Sequence, residues 1–353
     1  MGEGMSLYGS LARPLLFALP PEAAHRLAHG LLALPFPWER LGGARRDPSL
    51  EVSMAGIRLA NPIGLAAGFD KTGRHVDALG RLGFGYVVTG TFTRRPRRGN
   101  PKPRIVRYRD RAALANSMGL PNPGAERAAD TLRRIARTGP RIASVADENV
   151  RDVLETHALL EPLVDGVELN ASCPNVAWGR DRDNEAHLRE LLRELRVRRS
   201  RPLFVKLPPF RTDVEREVVL SLARIAHGEG ADGLTCSNSL PVTEPRLASG
   251  GGGLSGSELL AGTLENVRAV RDATDGGLPI NACGGVAGAA GAVACLEAGA
   301  TTVQLYAGLV YRGPRIVGEL TVGLAAVARE RPGGVASMTR GEIAPGEGGL
   351  LAD

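Results

Sequence analysis

From about residue 62 onward, short apolar runs alternate with stretches of helical period. Apolar or β-branched runs of strand length fall at 63–67, 86–89, 141–145, 166–169, 203–207, 232–236, 279–283 and 302–306. Helical patterns follow at 72–82, 125–137, 149–160, 184–199, 213–228, 257–273, 287–298 and 314–330. Strict alternation of this kind predicts a parallel sheet covered by helices. Eight such units over roughly 250 residues predict an α/β fold of the (β/α)8 TIM barrel type. A doubly wound open sheet is the alternative, but no G-x-G-x-x-G follows the first strand. Chemistry in such a barrel gathers in the loops after the strands. Three of those loops, 90–124, 170–183 and 237–256, are long, as functional loops tend to be.

Residues 5–37 have another rhythm. Leu7, Leu11 and Leu15 recur every four residues. After Pro20–Pro21 a second face carries Ala24, Leu27, Ala28, Leu31 and Leu32, and Pro35 and Pro37 close it. Two short amphipathic helices joined by a proline turn are predicted. Such a pair either packs on a core or lies on a membrane surface, and the wide apolar faces allow both. Three regions result: an N-terminal helical extension over 1–40, a barrel over 41–331, and a Gly-rich tail over 332–353 that is expected to be mobile.

The composition, 43% hydrophobic and 23% charged, is that of a folded protein. No apolar run is long enough to span a bilayer, and no secretory pattern opens the chain. The net charge is +6, yet only three of the 44 basic residues are lysine: Lys71, Lys102 and Lys206. A general drift toward arginine accounts for the basic pI. With aromatics at 4% and no basic–aromatic interleaving, no nucleic-acid partner is expected. Lysine is retained where a compact ammonium matters, which draws attention to these three. The cysteines, Cys173, Cys236, Cys283 and Cys295, form no zinc or C-x-x-C pattern, so no metal site is expected. Cys236, Cys283 and Cys295 read as small buried side chains.

The strand ends carry the candidate chemistry. Ala66-Ala67-Gly68-Phe69-Asp70-Lys71 lets the backbone approach a flat ligand, or is simply a tight turn with a surface lysine. Glu168-Leu169-Asn170-Ala171-Ser172-Cys173-Pro174-Asn175 places two asparagines around a cysteine. Asparagine both donates and accepts, which suits a planar ring with alternating amide groups. A cysteine, with an ordinary pKa near 8.5, can serve as base or nucleophile. The stretch 116–122, Asn-Ser-Met-Gly-Leu-Pro-Asn, adds two more asparagines. Lys206 ends an apolar strand, a costly place unless it meets an anion or an electron-rich ring. Ser237-Asn238-Ser239 follows the sixth strand, and glycines follow the seventh and eighth, the usual barrel phosphate site. Together these describe a phosphorylated flat cofactor beneath a planar polar substrate.

Several segments are specific enough to carry a resemblance. They are N-P-I-G-L-A-A-G-F-D-K at 61–71, G-F-G-Y-V-V-T-G-T-F-T at 83–93, G-N-P-K-P-R at 99–104, G-G-L-S-G at 252–256 and Q-L-Y-A-G-L-V-Y-R-G-P at 304–314. From about residue 8 to 328 the chain resembles the dihydroorotate dehydrogenases, in particular their class 2, quinone-using, membrane-associated branch. The resemblance implies an FMN oxidoreductase that converts (S)-dihydroorotate to orotate in UMP biosynthesis and passes electrons to a membrane quinone. It implies FMN contacts from Ala67, Gly68, Phe69, Asp70, Lys71, Thr91, Ser144, Asn170, Lys206, Ser237, Gly256, Gly285, Tyr306 and Ala307. Substrate contacts are implied for Lys71, Asn116, Ser117, Met118, Gly119, Leu120, Asn170, Asn175, Asn238 and Ser239. Cys173 falls at the position of the catalytic base, and Lys206 is expected to stabilise charge on the reduced flavin.

The substrate loop departs from that branch. Class 2 members usually carry serine at the base position, and the cysteine, N-S-M-G-L-P-N and V-K-L-P-P-F look like class 1. Ser144 stands where class 2 usually has an asparagine on the flavin. The alternative reading is therefore a flavin oxidoreductase of the same barrel family acting on another dihydropyrimidine, or using a soluble acceptor such as fumarate. A rival from another class is a non-catalytic barrel that binds a membrane or partner through residues 5–37. The expected location is peripheral, on the cytoplasmic face of the cell membrane, and a monomer is compatible with the sequence.

Overall fold

The computed structural model describes residues 8–172 and 183–339. A π-helical turn at Tyr8–Ala12 runs into α1 (Arg13–Ala18), and α2 (Pro21–Leu32) and α3 (Trp38–Gly42) follow. A hairpin of β1 (Val52–Met54) and β2 (Ile57–Leu59) precedes the first barrel unit, β3 (Ile63–Leu65) with α4 (Val76–Arg81). Next come β4 (Tyr86–Phe92), β5 (Ile105–Tyr108), β6 (Ala113–Asn116) and α5 (Ala125–Arg134). The units β7 (Arg141–Val145) with α6 (Val150–Leu160), β8 (Gly166–Asn170) with α7 (Asn184–Arg196), and β9 (Leu203–Leu207) with α8 (Asp213–Gly228) continue the rhythm. β10 (Gly233–Cys236) is followed by β11 (Leu240–Thr243), β12 (Gly251–Gly256) and α9 (Leu260–Ala273). β13 (Ile280–Cys283), α10 (Ala289–Glu297), β14 (Thr302–Leu305), α11 (Ala307–Arg312), α12 (Ile316–Ala328) and α13 (Val335–Met338) complete the described chain.

Eight parallel strands close in the order β10-β13-β14-β3-β4-β7-β8-β9. All eight expected strands are in that barrel, so the open-sheet alternative falls. β4, β7, β8 and β9 are buried at every residue, because the helices cover one face and the barrel core fills the other. The interior is not wholly apolar. Tyr86, Thr302, Asn281, Thr235 and Glu168 form one hydrogen-bonded chain, with successive contacts of 2.6, 2.7, 3.3 and 2.9 Å, and it joins five strands.

Helix starts follow capping chemistry. Thr212 and Glu215 form a reciprocal capping box on α8, so that helix begins and ends where its period predicts. α4 starts four residues later than expected, because the Asp70 carboxylate accepts from Thr72 N at 3.0 Å and His75 N at 2.9 Å and holds that stretch as a turn. The chain also stays ordered beyond Pro332: Val335 and Met338 of α13 are buried in the core, against the expectation of a mobile tail from that point. Residues 340–353 lie outside the described residues.

Two of the long loops contain structure that the period did not reveal. β11, β12, β6 and β5 form one antiparallel sheet, which pairs loop 90–124 with loop 237–256. Glycine makes the pairing possible, since a Cβ on Gly253 would lie 2.0 Å from Ser239 Oγ.

Candidate active site

A cavity of about 1380 Å3 opens at the C-terminal ends of the barrel strands. The β3–α4 turn contributes Ala67, Gly68 and Lys71 to its lining. Gly68 has φ +93°, and a Cβ there would enter open space, with only the Tyr306 ring nearby at 3.7 Å. Burial lowers the Lys71 ammonium to a pKa of about 8, with the neighbouring Asp70 carboxylate opposing that shift. Lys71 Nζ donates to the Gly68 carbonyl.

Phe69 and Asp70, expected at the cofactor, are not among the lining residues. The Phe69 ring instead meets Tyr306, His25 and His29, with centroids 5.9, 5.5 and 5.7 Å away. Asp70 is fully buried and spends its carboxylate on the turn. Ser144 is placed likewise: it is fully buried outside the lining, and its hydroxyl lies 3.0 Å from Thr91 Oγ1, which lines the cavity.

The amides that were expected to hold a ring are brought together. Asn170 Nδ2 donates to Thr91 Oγ1 at 3.2 Å, and Asn170 Oδ1 accepts from Ser172 Oγ at 2.9 Å. The same Ser172 oxygen accepts from Asn238 Nδ2 at 2.8 Å, and Asn238 Oδ1 accepts from Ser239 N at 2.8 Å. Asn116 Nδ2 donates across the antiparallel sheet to Gly253 O at 3.3 Å. The amide orientations are thus set before any ligand arrives. Ser117, Met118, Gly119 and Leu120 line the same side of the cavity, as do Asn238 and Ser239. Cys173 and Asn175 lie outside the described residues.

Lys206 sits opposite Asn170 in the parallel register and is 5% exposed. Its Nζ lies 3.9 Å from Cys283 Sγ. Burial raises the Cys283 thiol pKa, and the lysine works against that rise. Cys236 and Cys295 are buried as expected, but Cys283 lines the cavity. Ser237, Gly256, Gly285, Tyr306 and Ala307 line it as well. Burial pushes the Tyr306 phenol to a pKa of about 12, which keeps it neutral.

Sequence reasoning missed Gln304. Its buried side-chain amide makes no well-formed hydrogen bond, with the Tyr86 hydroxyl as a weak polar neighbour, and the residue lines the cavity. An orphaned amide is costly unless a ligand completes it. The signal available was the same as for Lys206, a polar residue inside the apolar run T-V-Q-L.

These features fit a phosphate-bearing flavin. The cavity holds a large ligand. The buried Gln304 amide and the asparagines offer donors and acceptors to a ring with ureide groups, Lys206 offers a fixed positive charge, and Gly284 and Gly285 bring backbone without side chains to the wall where a phosphate would lie. Lys206, Gln304, Thr91, Asn170, Gly68 and Gly285 would hold such a group.

The dihydroorotate dehydrogenase family profile matches residues 49–327. The dihydroorotate dehydrogenase (quinone) of Erythrobacter litoralis is 38% identical over 343 residues, covering 93% of this chain and 97% of that protein. The dihydroorotate dehydrogenase (quinone) of Novosphingobium aromaticivorans is 37% identical over 338 residues, covering 91% and 95%. Among solved structures, the ligand-free type DHODH from Eimeria tenella superimposes with a TM-score of 0.80 at 28% identity, covering 92% of this chain and all of that one.

Proposed function

The chain belongs to the dihydroorotate dehydrogenase family, and on that premise we propose that its barrel mouth binds FMN and the ring of (S)-dihydroorotate together. The protein is a flavin oxidoreductase of pyrimidine biosynthesis that oxidises dihydroorotate to orotate with a quinone as acceptor. The observation that carries the reading of the site is the set of three asparagines, Asn116, Asn170 and Asn238, fixed by their own hydrogen bonds around one cavity that also holds Lys206.

Bound there, FMN supplies the acceptor for the hydride that leaves C6 of the substrate ring. The asparagine amides hold the ring by its ureide edge, and Ser172 keeps Asn170 and Asn238 facing it. Lys71 stands near the ring carboxylate, and Cys173 removes the C5 proton. Lys206 presents fixed positive charge where negative charge develops, an effect that lowers a barrier by several kcal/mol in a site shielded from water.

Electrons leave to a membrane quinone beside the N-terminal helices, and the protein sits peripherally on the cytoplasmic face as a monomer. Supporting this, Leu11, Leu15, Leu27 and Leu31 are 58%, 71%, 48% and 47% exposed, an apolar surface that water does not favour. Among the described residues no helix is long and apolar enough to cross a membrane.

The test is the visible spectrum of the purified protein under anaerobic dihydroorotate. The flavin is expected to bleach, to be perturbed by orotate, and to reoxidise with quinone in liposomes but not with fumarate. A flavin that keeps full colour under excess substrate would defeat the reading in favour of another dihydropyrimidine. Reoxidation by fumarate would replace the quinone by a soluble acceptor.

A further inference from the structure

Glu22 stands in the first turn of α2, and Arg104 immediately precedes β5. Arg104 Nε and Nη2 meet the two oxygens of the Glu22 carboxylate at 2.7 and 3.3 Å, the fork geometry that suits a guanidinium–carboxylate pair. The two side chains are only 11% and 19% exposed. The third nitrogen, Nη1, donates to the carbonyls of Arg98 and Asn100 at 2.8 and 3.2 Å and lies 3.5 Å from that of Met118. Around it, Ser117 N donates to Arg104 O and Asn100 N to Met118 O, both at 2.9 Å, and Asn100 Nδ2 donates to Ser117 Oγ at 3.0 Å. There is no slack in this weld, since a Cβ on Gly99 would lie 2.3 Å from Met118 O, and one on Gly119 equally close to Asn100 Oδ1. One planar cation is therefore bonded on one side to the helical extension and on the other to the loop 116–120.

We propose that Arg104 is a positioning residue through which the seating of α2 and the binding of the substrate ring strengthen each other. It does not touch the substrate. Glu22 holds the guanidinium plane, the plane holds the carbonyls of Asn100 and Met118, and these set Asn116 and Ser117 against the ring. Reciprocity then follows: whatever the seated helix adds to ring affinity, the bound ring adds to helix seating. The proposal rests on the reading of 116–120 as the ring-binding loop.

The FMN-loaded full chain and its Glu22→Gln, Arg104→Lys and Lys102→Met variants test it. Orotate affinity is read from the flavin spectrum, and seating of α2 from trypsin cleavage at the exposed Arg26. Glu22→Gln and Arg104→Lys are each expected to weaken orotate binding roughly tenfold. They should raise the KM for dihydroorotate equally and leave the limiting rate of flavin reduction within about twofold. Orotate should slow cleavage at Arg26 in the parent protein and lose that effect in both variants. Lys102 also contacts Glu22, at 3.1 Å, but is 60% exposed, so Lys102→Met should change nothing. A merely structural role would lower the yield of holoenzyme and leave the affinity of what remains unchanged. That result overturns the proposal, and so does an effect of Lys102→Met as large as that of Glu22→Gln. A parent flavin that ignores orotate would instead remove the reading of the loop and the proposal with it.

Discussion

The barrel and the helical extension solve opposite problems. β7 and β9 bury every residue, whereas α2 buries none completely. The extension is attached by a few directed contacts. Arg107 and Arg109 donate to the carbonyls of Leu16, Leu19 and Phe17, Tyr8 donates to Val310 O at 2.6 Å, and the Phe17 and Tyr311 rings meet edge-on at 5.1 Å. Phe17, Leu32 and Trp38 pack inward, but Leu11, Leu15, Leu27 and Leu31 stay exposed. A segment that existed only to stabilise the barrel would turn those leucines inward. The barrel is thus stabilised by burial and does the ring chemistry, while the extension is pinned by polar contacts and keeps its apolar surface for something outside the molecule.

The sharpest way to break the comparison is to remove the proposed base from the barrel side. Cys173→Ala is expected to slow anaerobic flavin reduction by about 10²–10⁴-fold with little loss of orotate binding. Cys173→Ser should behave almost like alanine, because a serine needs a proton path that the cysteine does not. Stopped-flow reduction across pH measures both, and near-normal reduction by the alanine protein would clear Cys173 of the role.

On the other side, Leu27→Asp with Leu31→Asp should weaken partition onto liposomes by about 10–100-fold, from the apolar area lost. Turnover with liposomal quinone should fall with it, while flavin reduction by dihydroorotate stays at the parent rate. Sedimentation with vesicles and stopped flow together decide, and unchanged quinone turnover would show that the leucines serve another purpose.

Acid should separate the two regions. His25 and His29 are held neutral at the seam, chiefly by burial and also by nearby Lys71 and by other histidines, with pKa values lowered from 6.5 to about 2 and about 4. Both shifts are downward, so the folded seam binds fewer protons than the free chain. Its stability is present above pH 6.5 and is lost as pH falls, down to about 4 for His29 and about 2 for His25. At pH 5 the loss is roughly 1–2 kcal/mol for each histidine. Protection factors of the α2 amides, corrected for the slower intrinsic exchange in acid, should fall between pH 7 and 5 while those of β7 and β9 hold. An equal fall in both would mean that the extension is not a separate unit.

The smallest effect is alkaline. Lys71 loses its charge above about pH 8, because burial disfavours the ammonium. Orotate, an anion, should bind several-fold more weakly at pH 9 than at pH 7.5, an effect of about one pKa unit. Lys71→Arg should flatten that dependence. An orotate titration of the parent flavin that is flat from pH 7.5 to 9 would place the carboxylate elsewhere.

The same contrast decides what could be read from the chain. Barrel strands were legible because burial on both faces demands continuous apolar runs, and α8 was legible to both ends because Thr212 and Glu215 declare its start. Lys206 stood out for the same reason, as a charge inside such a run. The antiparallel sheet over the mouth was not legible. β12 reads Gly-Gly-Gly-Leu-Ser-Gly, which has no period, and its register comes from partners more than a hundred residues away. Asn116, Asn170 and Asn238 were visible as residue types, but their orientation depends on Ser172, Thr91 and Gly253, which only the fold brings near. Phe69 and Asp70 stand outside the lining because a segment that follows a strand into the mouth turns only some of its side chains inward.

The scarcity of lysine has a practical consequence for labelling. Lys71 and Lys206 lie within the cavity, while Lys102 is 60% exposed beside Glu22. With cofactor and orotate filling the cavity, an amine-reactive dye finds Lys102 as its accessible lysine side chain, whereas in the empty cavity Lys71, neutral above about pH 8, competes for it. A fluorophore so attached would sit at the joint between the helices and the substrate loop, with no cysteine introduced and no surface residue removed. The protein carries its own single-site handle for following, in real time, how the extension settles onto a membrane.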